Sequence, residues 1–241
     1  MPNNWENNAD FPDNKEWPDY FSIPVLMLML ITLLNDGTII AIGYDNAQPR
    51  MQPEKWNLRV LILVGFTMAS VATLSSLLLL YLSLTSWEHG HVYQALGIGG
   101  LSYGQITTTI YLQLSVSQFL TIFCARTGAS WFWSSQPSWV LLLAPCVALT
   151  ASTVLAVTWP ESEPNNIPTL GLGYRRPYAL PVYIWLYCIV WWVIQDAVKV
   201  SLYAVLIKYD VFGYNDTGKL VLPESARQYI RDHKEDDLEV D

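Results

Sequence analysis

The sequence predicts an all-α fold, a polytopic membrane helix bundle with about five transmembrane helices. Composition is the first reason: 52% of the 241 residues are hydrophobic and 14% are charged, where a soluble domain carries about 25% charged residues. Aromatic content is the second, with 11 Trp and 14 Tyr, many near the ends of apolar stretches as an interfacial belt requires. The third is length. Apolar stretches at about 21–43, 58–84, 105–125, 139–158 and 182–207 each approach the ~20 residues a helix needs to cross the hydrocarbon core. Within single segments of that length, only a helix satisfies its own backbone in lipid.

Residues 1–20 form a polar segment with five acids and one Lys. They lack a basic stretch followed by an apolar core, so no signal peptide is expected. The first span, 21–43, has Pro24 in its opening turn, where a missing N–H does little harm. Near its middle stands Asp36, within Leu33-Leu34-Asn35-Asp36-Gly37-Thr38. A carboxylate at that depth costs roughly 2.5–3.5 kcal/mol and marks an ion or proton path. Asn and Gly are poor helix formers, so Asn35, Gly37 and Thr38 predict a local unwinding that supports Asp36, in the manner of broken transporter helices.

The second span, 58–84, carries Gly65-x-x-x-Ala69 and Ala72-x-x-x-Ser76, small-residue spacings that predict close helix packing. In the third, 105–125, Tyr111, Ser115 and Gln118 share one face and Gln113 and Ser117 another; polar side chains of this kind hydrogen-bond between helices. The fourth, 139–158, is followed by a polar stretch bracketed by Pro160 and Pro181. The fifth, 182–207, contains Gln195-Asp196-Ala197-Val198-Lys199. Asp196 and Lys199 are three apart and meet on one face, which predicts a structural ion pair. Residues 208–241 form an acidic tail, expected to be cytoplasmic.

Lys and Arg set the orientation. Arg50, Lys55, Arg59, Arg126, Lys208, Lys219, Arg227, Arg231 and Lys234 fall on one side, against Lys15, Arg175 and Arg176 on the other. This places the N-terminus outside and the C-terminus in the cytoplasm. An acidic outer segment without a signal suggests that a preceding part of a longer protein carries it across.

Several functions find no support. The net charge of −8 does not suggest a nucleic-acid partner, and none is expected. Cys124, Cys146 and Cys188 all lie in apolar segments and read as small buried hydrophobes, not as a disulfide or zinc framework. His89-x-His91 lacks a third ligand, so no metal site is expected. Gly97-Ile98-Gly99-Gly100 reads as a turn, and the Asn215-Asp216-Thr217 sequon falls on the cytoplasmic side. No phosphate-binding loop, nucleophile elbow or zinc-protease motif occurs.

Leu33-Leu34-Asn35-Asp36-Gly37-Thr38-Ile39-Ile40, with Asp45 and Pro53-Glu54-Lys55-Trp56 after it, resembles the sixth membrane helix and following loop of the P-type plasma-membrane proton-exporting ATPases. Tyr111-Leu112-Gln113, Ser117-Gln118, Arg126 and Ser130-Trp131 are similar to the eighth helix. Trp185-Leu186-Tyr187, Asp196 and Lys199 are similar to the tenth. The resemblance implies helices six to ten of ten, a plasma-membrane location, and Asp36 as proton acceptor and donor. It also implies ATP and Mg2+ bound by upstream pump domains, with no cofactor held by this chain. The phosphorylation motif D-K-T-G-T and the actuator motif T-G-E are absent from the sequence, so this chain alone is not expected to hydrolyse ATP. Its partners would be the lipid bilayer, the proton, and upstream pump domains or a full-length pump. The alternatives are a non-catalytic five-span fragment or accessory membrane protein, a passive proton or cation channel, and a sodium exporter.

Overall fold

The computed structural model describes residues 21–45, 57–86, 100–174 and 176–213. The first polar tail, 1–20, and the second beyond residue 213 lie outside these residues. So do Arg50, Lys55, His89, His91, the Gly97–Gly99 turn, Arg175 and the Asn215 sequon.

Among the described residues five long helices follow in order: α1 (Val25–Ile40), α2 (Leu58–Leu84), α3 (Tyr103–Ala125), α4 (Trp139–Thr158) and α5 (Leu180–Lys208). A short 3-10 turn, Ala41–Tyr44, extends α1. All five are long and apolar enough to cross a membrane. The helices match the sequence-predicted spans, and the differences lie at the ends. The start of α3 at Tyr103 has a local cause. Ser102 accepts from the Gln105 backbone N–H while the Gln105 side chain accepts from the Ser102 N–H, a reciprocal cap that fixes the first turn. Asn57 and Ser138 cap α2 and α4 in the simpler way.

The helices run up and down. Asp45 after α1, Asn57 before α2, Arg126 after α3, Ser138 before α4 and Phe212 after α5 gather at one end, joined by hydrogen bonds such as Asn57 to the Phe212 carbonyl. At the opposite end the Tyr103 hydroxyl contacts both the N–H and the carbonyl of Ser22. The central helix is α3, which packs against all four others, with α1 and α4 on one flank and α2 and α5 on the other. Met27, Ile31, Ile106, Tyr111, Leu112, Val116, Phe119, Ala148, Ile184 and Cys188 form the main core.

Large apolar side chains cover the outer faces, among them Leu33, Ile40, Phe66, Leu61 and Val147, as lipid contact demands. Hydroxyls on these faces bond within their own helix: Thr32 donates to the Leu28 carbonyl, Ser70 to Phe66 and Thr150 to Cys146. Acyl chains offer these hydroxyls no partner, so the i−4 carbonyl is the natural acceptor.

Behind α4 the chain doubles back. Gly171, Leu172 and Gly173 donate to the carbonyls of Trp159, Ala156 and Val157 at 2.9–3.0 Å. These are carbonyls that the end of a helix leaves without partners. The approach is close enough that a Cβ on Gly171 would meet the Trp159 and Val157 carbonyl oxygens at 2.6 and 2.7 Å.

Three sequence expectations are corrected. First, α1 is continuous through Asn35-Asp36-Gly37; the run does not unwind, because the apolar residues on both sides keep the backbone ladder intact. Second, Gly65 and Ala69 face outward from α2, and nothing lies within 4 Å of a Cβ placed on Gly65. The buried stripe of α2 is Val60, Val64, Met68, Ser75 and Leu79 instead. Third, Cys146 is exposed on α4, while Cys124 and Cys188 are buried.

Candidate ion-transport site

Asp36 lies on the outward face of α1. The helix turns its buried stripe, Met27, Ile31 and Thr38, towards α3 and α4. At 100° per residue, Asp36 shares the opposite face with Met29, Leu33 and Ile40, which are 64%, 69% and 70% exposed. Asp36 is itself exposed, and it has no hydrogen-bond or ion-pair partner among the described residues. Asn35 is half-buried and Gly37 exposed beside it; Thr38 is buried and donates to the Leu34 carbonyl. The supporting residues named from the sequence therefore do not enclose Asp36. The five helices form one wall of any site there.

What the structure does build around α1 is an anchor at its far end. Asp45, just past the 3-10 turn, receives Arg126 Nε at 2.9 Å and Arg126 Nη2 at 3.0 Å, a two-pronged ion pair. The backbone N–H of Ser138 also donates to Asp45, at 3.2 Å. Arg126 also donates to the carbonyls of Ser135 and Gln136. The planar guanidinium matches a carboxylate prong for prong. One carboxylate thus ties the end of α1 to the end of α3 and the start of α4.

A second ionic knot lies in α5. Lys199 Nζ is 2.8 Å from Asp196 Oδ1, and both side chains are buried. Lys199 also donates to the Cys124 carbonyl, the Thr127 hydroxyl and the Ser130 carbonyl, each at 2.9 Å. Asp196 receives the Cys124 thiol and the Phe132 N–H at 3.1 Å. Every proton of the ammonium has an acceptor, which is what lets such a pair exist out of water. The pairing expected from the three-residue spacing is present, and it clamps α5 to the α3–α4 loop. That loop also carries a stacked Trp131–Trp133 pair, with ring centroids 4.9 Å apart.

Next to Asp196 on α5, Gln195 joins three helices, donating to the Met68 carbonyl of α2 and accepting from Thr121 of α3. Of the third-span polar residues, Tyr111, Gln113 and Ser115 are buried between helices, while Gln118 faces outward. The sequence offers Asp45 and Arg126 only as separate points of resemblance, one after the first span and one after the third. Their pairing bridges distant parts of the chain and leaves no local spacing signal.

Five long apolar helices with ionic knots at one end define a polytopic helical membrane protein. Over most of its length the chain is related to plasma-membrane proton ATPases. It is 41% identical over 201 residues to probable proton ATPase 1A of Leishmania donovani, and 41% identical over 201 residues to probable proton ATPase 1B of the same organism. Each alignment covers 80% of this chain and 21% of the relative. A probable plasma membrane ATPase of Dictyostelium discoideum is 26% identical over 204 residues, covering 77% of this chain and 18% of the relative. No protein-family profile matches. The similarity bears out the resemblance to the membrane region of the P-type plasma-membrane proton ATPases, and the chain spans about a fifth of the length of the curated relatives it matches.

Proposed function

We propose that these five helices are the ion-transport membrane part of a P-type pump that exports protons across the plasma membrane, with Asp36 as proton acceptor and donor. The observation that carries this reading is the 41% identity of 80% of this chain to probable proton ATPases; Asp36 itself lies near mid-span on a helix face that the described residues leave uncovered. A carboxylate left against lipid is costly, so the face calls for protein or water beside it. The chain's relatives are several times longer than the aligned region, and their remaining parts are the natural cover. ATP and Mg2+ belong to domains outside this chain, and their hydrolysis supplies the energy.

Removal from water favours a neutral carboxyl group, and a nearby cation favours the carboxylate. A pump that alternates these surroundings takes a proton from the cytoplasm in one state and releases it outside in the other. Beyond Asp36, the role of this chain's residues is positional. The Asp45–Arg126 pair fixes the end of α1, and the Asp196–Lys199 pair fixes the loop against which that end rests. With the knots on the cytoplasmic side, α1 is held at its inner end and its middle remains available to the rest of the pump.

Because Asp36 points away from the interior of the five-helix unit, this unit does not by itself enclose a passage through it. A passive channel formed by the chain alone is therefore disfavoured. The test is Asp36→Asn in a complete pump reconstituted in sealed vesicles. ATP-driven acidification should vanish while the protein still inserts. Undiminished acidification contradicts the assignment.

A further inference from the structure

A small cavity lies near mid-span where α2, α3 and α5 meet, lined by Ala72, Ser75, Gln113, Tyr187, Cys188 and Trp192 among others. Its volume, about 10 Å3 of room for water centres, is near the minimum that one water needs. Most polar groups on its wall are used. The Ser75 hydroxyl donates to the Ala72 carbonyl at 2.7 Å, and the Tyr187 hydroxyl donates to the Ser75 carbonyl at 2.6 Å. With its proton spent, the Ser75 oxygen accepts, so Gln113 must turn its amide nitrogen towards it, at 3.4 Å. That leaves Gln113 Oε1 facing away from Ser75. This atom is buried with no partner, and so is the indole Nε1 of Trp192. Gln113 is 1% exposed.

Among the fully buried side-chain atoms of the residues that line this cavity, one acceptor and one donor are therefore left over. A buried polar group without a partner costs about 1–3 kcal/mol, and the surrounding lipid offers no substitute. The complement of one leftover donor and one leftover acceptor is a molecule that accepts once and donates once. An acyl chain can do neither.

We propose that this cavity is a binding site for one ordered water, which accepts from the Trp192 N–H and donates to Gln113 Oε1. The water completes the polar junction of α2, α3 and α5, which includes the Gln113–Ser75, Tyr187–Ser75, Gln195–Met68 and Thr121–Gln195 bonds. The site is separate from Asp36, which does not line the cavity, and the proposal stands or falls independently of proton transport.

The experiment is a brief X-ray pulse on the full chain in lipid nanodiscs, with oxidation read residue by residue by mass spectrometry. Bound water is a local source of hydroxyl radical. Cys188 and Trp192 should be oxidised several-fold faster than Cys124, which is buried and absent from the cavity wall. Gln113→Leu removes the acceptor and fills space. It should bring Cys188 down to the level of Cys124 while exposed Cys146 keeps its rate. If that variant does not fold, the comparison within the unaltered chain still decides. Equal oxidation of Cys188, Trp192 and Cys124 overturns the proposal, as does a high-resolution map showing the cavity empty or filled by an acyl chain.

Discussion

Arg126 grips Asp45 through both carboxylate oxygens, at 2.9 and 3.0 Å, and Asp45 stands at the end of the rod that carries Asp36. The pair is nearly buried, with the two side chains 8% and 12% exposed. Removing Arg126 takes two charge-assisted hydrogen bonds from a nearly buried carboxylate. Arg126→Gln should cost about 3 kcal/mol of bundle stability, measured by denaturant titration in mixed micelles. Asp45→Asn combined with Arg126→Gln should cost less than the two single changes added together. Strict additivity would show that the contact contributes nothing.

Asp196 and Lys199 are expected to behave more sharply, because both are buried to within 1%. Asp196→Leu or Lys199→Met alone should destabilise by about 3–5 kcal/mol, and the double substitution should recover much of that loss. The readout is thermal unfolding of the detergent-solubilised chain. A double variant worse than both singles would mean that the partners in the α3–α4 loop, and not the pair itself, hold the knot together.

Gly171→Ala places a methyl group 2.6–2.8 Å from the backbone of Trp159 and Val157. Backbone atoms cannot step aside, so the segment over the end of α4 must lift. A loss of about 1–3 kcal/mol is expected, with faster amide exchange at Leu172 and Gly173. Unchanged exchange would contradict the close approach.

Gly65→Ala is predicted to act the other way. It adds a methyl group where nothing lies within 4 Å, and Ala favours a helix over Gly by about 1 kcal/mol. The isolated chain should gain up to that amount in the same micellar titration. Destabilisation would mean that the Gly65–Ala69 face packs against something in the folded unit.

How legible all this was depended on distance along the chain. Hydropathy located all five helices, because length and continuity are the only requirements for crossing lipid. The Asp196–Lys199 pair was legible because three residues is a helical neighbour distance. Asp45 and Arg126 lie 81 positions apart, and nothing local announces that they meet. The faces of the helices were hardest to read. In α1 nearly every residue is apolar, so the pattern cannot say whether Asp36 points inward with Thr38 or outward with Leu33. In α2 the small residues at Gly65 and Ala69 suggested a packing seam, but the larger Val60, Val64 and Met68 form it. In lipid, inside and outside are equally greasy, and composition loses the contrast that guides such assignments in water.

The central claim is that Asp36 binds and releases a proton during the pump cycle. Infrared difference spectroscopy reads this directly, comparing a complete pump trapped in its two conformations. A carboxyl C=O band should change between the states and disappear from the difference spectrum in Asp36→Asn. A difference spectrum identical in the unaltered and Asp36→Asn proteins would contradict the account.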